Sequence, residues 1–274
     1  MILTNALFPS LSSLRLVATD LDGTLLRSDK TISVRTVTLL QHLRSIGVII
    51  LFVSARPPRV LRQIAITSHL GGLAICCNGA IIYDMDHDSF LQEHLLSPQQ
   101  IKHLVTLLHA SLPALSFAAE SGKSVTCEAA FYPFCTQNDS PSPRIVDISA
   151  LYQAPHIKIL VHHPTLPIEE LYEQVALLLD SSIYSTTYSS ADFLEITLGG
   201  VHKGEVLAAF CTQLDITAHS VVAFGDMPND LPMLQWAGLG VAVANAHPLV
   251  LQAADAITLS NEEDGVAHML ERLI

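Results

Sequence analysis

The sequence lacks the long apolar runs and the basic leader that mark membrane and secreted proteins. Half of its 274 residues are apolar. The richest run, 48–53, nevertheless has the length of a strand, well short of the roughly 18–20 residues that span a membrane. The first residues, MILTNALFPSLSSLRL, carry no basic start and are interrupted by Asn5 and Pro9. We therefore expect neither a membrane span nor a signal peptide.

Paired cysteines, metal-binding histidine spacings and a surplus of basic residues are also missing. The five cysteines include no CxxC pair, and the thirteen histidines include no HExxH motif. An odd number of cysteines without a leader is typical of a reducing cytoplasm, and the spacing gives no zinc site. The net charge of −12 disfavours nucleic acid and anionic membranes. We therefore expect a cytoplasmic monomer or homodimer that binds neither nucleic acid nor membranes. If this protein handles phosphate, it must provide positive charge locally.

Strand-like and helix-like segments alternate near both ends of the chain. The predicted strands are 15–19, 48–53, 74–77, 220–224 and 240–244, with an edge strand at 256–259. Ser33 is a predicted N-cap, and the helix after it is expected to stop near Gly47. Strands separated by such helices form parallel β-α-β units. The sequence therefore predicts an α/β fold with a doubly wound, mostly parallel sheet.

The middle of the chain has a different pattern. A capping box at 97–100 predicts a helix, a turn at 121–123 predicts a hairpin, and a strand at 156–162 precedes a helix at 167–179. This order is typical of an α+β unit inserted into the doubly wound domain. We predict a core domain made of 1–83 and 191–274, and an α+β cap domain at 84–190.

Two aspartates directly follow the first predicted strand. Asp20 and Asp22 stand two residues apart in DLDGTL. One carboxylate in such a turn can attack phosphorus while the other acts as a general acid and base. The alternative is that Asp and Gly simply make a good turn.

Three further polar segments have chemical potential. Ser54 ends the second strand and can bond a phosphoryl oxygen, or it can cap the helix that follows. Lys203 precedes a helix and can neutralise a transferring phosphoryl group, or it can be an ordinary surface lysine. The segment 225–230, GDMPND, follows another strand and suits a cation that prefers oxygen ligands, or forms a turn.

These segments are expected to meet at one edge of the sheet. In open α/β sheets, ligands bind at the carboxyl ends of the strands, beside the point where the strand order reverses. Asp20, Ser54 and Asp226 each follow a different predicted strand. Together with the lysine they predict a phosphate site with a metal ion.

The four segments resemble the motifs of the haloacid dehalogenase superfamily phosphatases. The matches are DLDGTL, the serine of VSAR, the lysine of VHKG and GDMPND. The stretches CNGA at 77–80 and AGLGVAVANAHPLVLQAAD near the C-terminus are similar to its Cof-type branch. That branch carries a large α+β cap between the second and third motifs, where the inserted unit falls. One departure is Ala55, where the family usually has Gly.

The resemblance implies a role for each matched position. Asp20 is the implied nucleophile and Asp22 the acid and base. Mg²⁺ is held by the Asp20 carboxylate, the main-chain carbonyl of Asp22 and the Asp226 carboxylate. Phosphate or substrate is bound by Ser54, Lys203, Asn78 and Asn229, with Asp230, Gly23 and Gly79 as supporting residues.

The expected function is Mg²⁺-dependent hydrolysis of a small phosphorylated metabolite through an aspartyl phosphate. A phosphomutase of the same superfamily is an alternative, because it would pass the phosphoryl group to a second hydroxyl. A receiver-like signalling domain also combines Asp, Ser or Thr, and Lys around Mg²⁺. Receivers lack an aspartate at the position of Asp22 and lack a cap, so the sequence favours the phosphatase.

Overall fold

The computed structural model of the chain describes residues 14–135, 141–188 and 191–274. Residues 1–13, on which the expectation of no signal peptide depends, lie outside the described residues. Position 190, the expected end of the cap, also lies outside them. Within the described part of the chain, no helix is both long and apolar enough to cross a membrane.

Fourteen strands and eight α-helices are formed by the described residues. The strands are β1 Leu16–Thr19, β2 Ile49–Val53, β3 Leu73–Cys76, β4 Ile81–Asp84, β5 Ser89–Glu93, β6 Ser116–Glu120, β7 Val125–Cys127, β8 Arg144–Ile145, β9 Lys158–His162, β10 Tyr184–Thr187, β11 Leu194–Leu198, β12 Val221–Gly225, β13 Leu239–Ala242 and β14 Ala256–Ile257. The helices are α1 Val34–Ser45, α2 Pro58–Ser68, α3 Pro98–Ser111, α4 Ile168–Leu178, α5 Lys203–Gln213, α6 Leu231–Trp236, α7 Pro248–Ala253 and α8 Gly265–Glu271.

Among the described residues, the first compact unit contains 14–56, 60–91 and 202–274. Its sheet has the order β14-β13-β12-β1-β2-β3-β4-β5. The strands from β14 to β3 run parallel, and β4 is antiparallel to β3. β1 is a central strand between β12 and β2 and is completely buried, as its apolar sequence LVAT requires. The predicted α/β class with a doubly wound, mostly parallel sheet is confirmed.

The first helix shows how local sequence sets the elements of this unit. The side chain of Ser33 accepts a hydrogen bond from the Thr36 amide, so Ser33 is the predicted N-cap of α1. The helix stops before Gly47, which adopts φ +94° and turns the chain into β2. Leu40 and Leu43 are completely buried. Local capping and burial of one face therefore place β2 beside β1.

Among the described residues, the second compact unit contains 57–59, 92–135, 141–188 and 191–201. Its sheet has the order β10-β11-β9-β6-β7-β8 and is antiparallel except for the short pair of β7 and β8. One apolar cluster joins residues of α3 and α4 to β6, β9 and β11. The predicted capping box at Ser97 and Gln100 starts α3. Helices on one face of an antiparallel sheet make this unit α+β.

The units divide at different positions from those expected from the sequence. β4 and β5 extend the first sheet, so the first unit continues to Leu91 instead of ending at 83. β11 pairs with β9 and β10, so the second unit continues to Val201. The first boundary is set by the local pairing that continues from β3 through β4 to β5, and the second by the pairing of β11 with β9 more distant in the chain. The assignment of this unit as a specificity cap stays a prediction.

Candidate active site

Three neighbouring parallel strands deliver polar residues to one edge of the first sheet. Asp20 follows β1, and its amide donates to the carbonyl of Phe224 in β12 at 2.9 Å. Ser54 follows β2, and Asp226 follows β12. Because β1 pairs in register with both β2 and β12, these three residues leave the sheet at the same edge. The structure thus brings together the residues that the sequence places at strand ends.

A buried lysine connects two of the site's carboxylates. Lys203 Nζ donates to Asp20 Oδ1 at 2.7 Å and to Asp230 Oδ1 at 2.6 Å. The lysine is the first residue of α5 and is 2% exposed. A buried ammonium group in this position offsets the charge of both carboxylates. The alternative of an ordinary surface lysine is excluded for Lys203.

Asp226 is fixed by the turn that follows Asp20. The hydroxyl of Thr24 donates to Asp226 Oδ1 at 3.0 Å. Gly23 has φ +79°, and a Cβ atom there would lie 2.4 Å from Asp226 Oδ2. Gly23 therefore serves two needs, because it allows the left-handed turn and the close approach of the carboxylate. Thr24 was not singled out from the sequence, although it lies within the DLDGTL motif.

Asp230 organises the loop after β12. Its Oδ2 accepts hydrogen bonds from the amides of Asp226 and Met227, both at 3.1 Å. Its Oδ1 accepts from Lys203, and the residue is completely buried. Both oxygens are thus engaged by groups of the protein. The supporting role expected for Asp230 stays a prediction.

The carboxylate cluster carries more negative charge than its lysine balances. Oxygen atoms of Asp20, Asp226 and Asp230 lie within 4.8 Å of one another. Burial raises the pKa of Asp20 well above its usual range, although Lys203 opposes the shift. Burial and the charge of Asp230 raise the pKa of Asp226 to about 6. Burial alone would lower the pKa of Lys203, but Asp20 and Asp230 outweigh it and raise that pKa.

These properties fit a divalent cation that prefers oxygen ligands. Burial is the main cause of the raised pKa values of Asp20 and Asp226 and repulsion among the carboxylates adds to it, so their ionised forms are incompletely stabilised. A bound dication would supply neutralising charge, and carboxylate oxygens are the ligands that magnesium prefers. Since Asp230 is already engaged on both oxygens, Asp20 and Asp226 are the better candidates for side-chain ligands.

The side chain of Asp22 makes different contacts from those of the carboxylate cluster. Arg56 holds it in a bidentate pair, with Nε and Nη2 each 2.5 Å from a carboxylate oxygen. Lys30 Nζ donates to Asp22 Oδ1 at 3.0 Å. Burial would raise the pKa of Asp22, but the hydrogen bonds from Arg56 and Lys30 outweigh it and lower that pKa. Sequence reasoning missed both cations, although Arg56 stands only two residues after Ser54.

Ser54 and Asn78 are linked through the main chain. The Asn78 amide donates to the Ser54 carbonyl at 3.1 Å, and the Arg56 amide donates to Ser54 Oγ at 3.1 Å. Asn229 Nδ2 donates to Asn78 Oδ1 at 3.2 Å. The predicted substrate-binding residues Asn78 and Asn229 are therefore direct neighbours.

The loop that carries Asn78 has an uncommon backbone. Cys77 and Asn78 adopt φ +52° and +57°, values that non-glycine residues seldom take. Gly79 follows with φ +117°, and a Cβ atom there would lie 3.0 Å from Val206 Cγ2 and 3.2 Å from the His202 carbonyl. Gly79 is therefore needed where the loop packs against the start of α5. Strained backbone of this kind is concentrated at functional sites.

Comparison with known proteins identifies the family. The sequence profile of the haloacid dehalogenase-like hydrolases matches residues 17–270, which is most of the chain. This protein belongs to the haloacid dehalogenase-like hydrolases. The expected Cof-type branch and the expected class, a phosphoric monoester hydrolase, are confirmed.

Several relatives of this family member match over nearly their whole length. It is 26% identical to 5-amino-6-(5-phospho-D-ribitylamino)uracil phosphatase YitU of Bacillus subtilis, covering 93% of this chain and 96% of the relative. It is 27% identical to pyridoxal phosphate phosphatase YbhA of Escherichia coli, covering 93% and 97%. A solved haloacid dehalogenase-like hydrolase from Bacteroides thetaiotaomicron matches with a TM-score of 0.78 and 27% identity, covering 95% and 100%.

Proposed function

We propose that this family member is a Mg²⁺-dependent phosphatase that hydrolyses small phosphorylated metabolites through an aspartyl phosphate on Asp20. The observation that carries the proposal is the buried contact of Lys203 with Asp20, beside a cluster of carboxylates with surplus negative charge. The relatives named above act on phosphorylated small molecules, according to their names. Both facts favour a phosphate monoester as the substrate.

In the first step, a carboxylate oxygen of Asp20 attacks phosphorus and the bond from phosphorus to the ester oxygen breaks. Asp22 gives a proton to the departing oxygen. Because Arg56 and Lys30 occupy both of its oxygens and lower its pKa, these ion pairs must open and Asp22 must take up a proton from solvent before this step. Lys203 and the hydroxyl of Ser54 donate hydrogen bonds to the phosphoryl oxygens. Because charge accumulates on these oxygens, donors fixed by the fold stabilise the transition state.

In the second step, water attacks the phosphorus of the aspartyl phosphate. Asp22 accepts the proton of the water, and the bond from phosphorus to Asp20 breaks. Inorganic phosphate leaves, and the Asp20 carboxylate is restored. When bound, Mg²⁺ supplies positive charge to the phosphate, and Asp20, Asp226 and the main-chain carbonyl of Asp22 are the groups that would hold it.

The central test is the substitution Asp20→Asn. We expect turnover to fall by at least about 10⁴-fold, because an amide is a poor nucleophile. Wild-type protein with p-nitrophenyl phosphate should form a covalent adduct that intact mass detects and hydroxylamine removes, whereas Asp20→Asn should form none. Asp180→Asn is a matched control, because Asp180 is an exposed aspartate of the second unit. Turnover by Asp20→Asn at the wild-type rate would overturn the proposal.

The substrate class and the phosphomutase alternative are separated by one assay. A panel of sugar phosphates and other phosphorylated metabolites is incubated with the protein and Mg²⁺, and free phosphate is measured. A phosphatase releases phosphate from several members. Conversion of a sugar phosphate to its isomer without phosphate release would support a mutase instead.

We assign the choice of leaving group to the second unit. Sites at the ends of parallel strands are open to water, and a further domain commonly provides contacts to the leaving group. Lys123, on the turn between β6 and β7, is an exposed candidate residue. Lys123→Ala should change the relative rates across the panel. If the rates on every ester fell by one common factor, this residue would not select the substrate.

A reducing cytoplasm is the proposed location. None of the five cysteines forms a disulfide in the described part of the chain, and Cys76, Cys77, Cys127 and Cys211 are buried. Buried thiols behave as small apolar side chains. Activity that persists in a strong thiol reductant supports this location.

A further inference from the structure

The loop after β13, residues 243–247, lies beside the loop that carries Asp226. β13 pairs in register with β12, so the two strands end at the same edge of the sheet. The His247 amide donates a hydrogen bond to the Asp226 carbonyl at 2.8 Å, and the Val243 amide donates to the Gly225 carbonyl at 3.4 Å. The loop after β13 is therefore attached to the main chain of a proposed metal ligand.

The same loop contacts the segment that follows Asp20 through one side chain. Asn245 Nδ2 donates to the Gly23 carbonyl at 2.8 Å, and Asn245 Oδ1 accepts from the Asn261 amide at 3.0 Å. A side-chain amide carries both donors and an acceptor, so it can bridge a carbonyl and an N–H group in this way. Asn245 is exposed, so this side chain contributes hydrogen bonds and does not fill the core.

Gly23 lies between two groups that bear on the proposed metal site. The Asp22 carbonyl, a proposed Mg²⁺ ligand, precedes Gly23, and the Thr24 hydroxyl, which follows it, donates to Asp226 Oδ1 at 3.0 Å. A peptide group is planar, so a hydrogen bond at the Gly23 carbonyl restrains the plane that leads into Thr24. A shift of that plane would move the Thr24 hydroxyl relative to Asp226.

We infer that Asn245 is a positioning residue that sets the Mg²⁺ affinity of the site by holding the turn after Asp22 against Asp226. The inference rests on the proposed function, in which the Asp22 carbonyl and the Asp226 carboxylate bind Mg²⁺. In this role Asn245 acts through the Gly23 carbonyl, not by contacting the metal. Groups that orient metal ligands contribute to metal affinity in this indirect way.

The test measures Mg²⁺ binding directly, by calorimetric titration of EDTA-treated, dialysed protein with magnesium chloride. Asn245→Ala removes the donor to Gly23, and we expect the Kd for Mg²⁺ to rise about 3–10-fold, the usual effect of one lost hydrogen bond. The kcat at saturating Mg²⁺ should fall by a smaller factor, because excess metal restores the occupied site. A purely structural role would instead lower the Tm of the metal-free protein and leave the Kd unchanged.

Gln41→Ala is the matched control. The exposed Gln41 side chain donates from Nε2 to the His69 carbonyl at 3.2 Å, so it is also an amide that joins two distant segments of the first unit. Its loss should leave the Kd for Mg²⁺ unchanged. An equal rise of the Kd in both variants would overturn the inference, as would a wild-type Kd in Asn245→Ala.

A second variant tests the route through Thr24. Thr24→Val keeps the shape of the side chain but removes the hydroxyl that holds Asp226, so it should also raise the Kd for Mg²⁺. If both residues act on one turn, Asn245→Ala should raise the Kd by a smaller factor in the Thr24→Val protein than in the wild-type protein. Equal factors in the two backgrounds would contradict the proposed route.

Asp226→Asn separates failure of this inference from failure of the proposed function. If Asp226→Asn abolishes Mg²⁺ binding while Asn245→Ala binds the ion as the wild-type protein does, only the role of Asn245 fails. If Asp226→Asn binds Mg²⁺ as tightly as the wild-type protein, the proposed metal site fails, and the inference fails with it.

Discussion

Each compact unit buries a lysine beside carboxylates, but the balance of charge differs. In the second unit, Lys158 Nζ donates to Glu195 Oε2 at 2.6 Å, and both side chains are nearly inaccessible. In the first unit, Lys203 adjoins three clustered carboxylates among the described residues, those of Asp20, Asp226 and Asp230. A buried pair of opposite charges is electrically neutral and needs no ligand for charge balance. A cluster with more carboxylates than cations has net negative charge, which favours the binding of a cation. Charge balance therefore distinguishes a structural pair from a candidate reaction site.

The largest effect is expected from breaking the balanced pair. Lys158→Met leaves Glu195 buried without its lysine, which should cost about 3–5 kcal/mol of unfolding free energy. Urea unfolding followed by far-UV circular dichroism measures the loss. The double variant Lys158→Met/Glu195→Leu should restore most of it, because matched apolar side chains replace a buried pair at little cost. A double variant no more stable than the single one would contradict the structural role.

The corresponding change at the unbalanced lysine should act on catalysis. Lys203→Met removes a donor to the phosphoryl oxygens and should lower kcat about 10²–10³-fold. Phosphate release from the best ester of the panel is the measurement. Lys102→Met, on the exposed face of α3, is the control and should keep the wild-type kcat. If the kcat of Lys203→Met stayed within a few fold of the wild-type value, Lys203 would have no role as a donor to the phosphoryl oxygens.

The unbalanced cluster should also make metal binding depend on pH. The folded pKa of Asp226, about 6, lies above its ordinary value of 3.8. Since this pKa is raised, the metal-free protein loses stability as pH rises through the interval between the two values. Below pH 6 protons compete with the metal, so Mg²⁺ affinity should fall up to about tenfold per pH unit.

Thermal unfolding with Mg²⁺ and with EDTA measures this effect. The rise in Tm on adding Mg²⁺ should be larger near about pH 7.5 than near about pH 5. Asp226→Asn should largely abolish the rise at both values. An equal rise at both pH values in the wild-type protein would mean that the cation binds elsewhere. Full activity in excess EDTA would exclude a metal requirement.

The smallest effect is expected from an ion pair at the surface of the first unit. Arg35 and Glu271 form a bidentate pair in which both side chains are about 40% exposed. Solvent screens such pairs, so Arg35→Gln should lower Tm less than Lys158→Met does. Thermal unfolding of the two variants side by side checks the order. The reverse order would show that burial does not decide the contribution of these pairs.

The sequence predicted the features that depend on local patterns. The apolar run of β1, the N-cap at Ser33 and the capping box at Ser97 each specify their element without distant partners. The residues at strand ends could be predicted as neighbours, because parallel strands share an edge. The resemblance to a family then supplied the roles expected for residues such as Asn78, which no spacing rule singles out.

Other features depend on contacts that no local pattern contains. The pairing of β11 with β9, about thirty residues apart in the chain, set the end of the second unit. Arg56 and Lys30 were missed because only side-chain geometry brings them to Asp22. From the sequence alone, a loop arginine such as Arg56 has many possible carboxylate partners. The chosen partner becomes visible only when the loops are in place.

The pairing of β1 with β12 also has a consequence for biosynthesis. These strands are neighbours in the sheet although about two hundred residues of chain separate them. On the ribosome, β1 is made early and must wait for residues 221–225 before its second edge is covered. Parallel pairing over such a separation is intrinsically slow, and an uncovered apolar strand is prone to association. Asp226 and Asp230 are synthesised about two hundred residues after Asp20. The nascent chain therefore lacks the carboxylate cluster until late in synthesis.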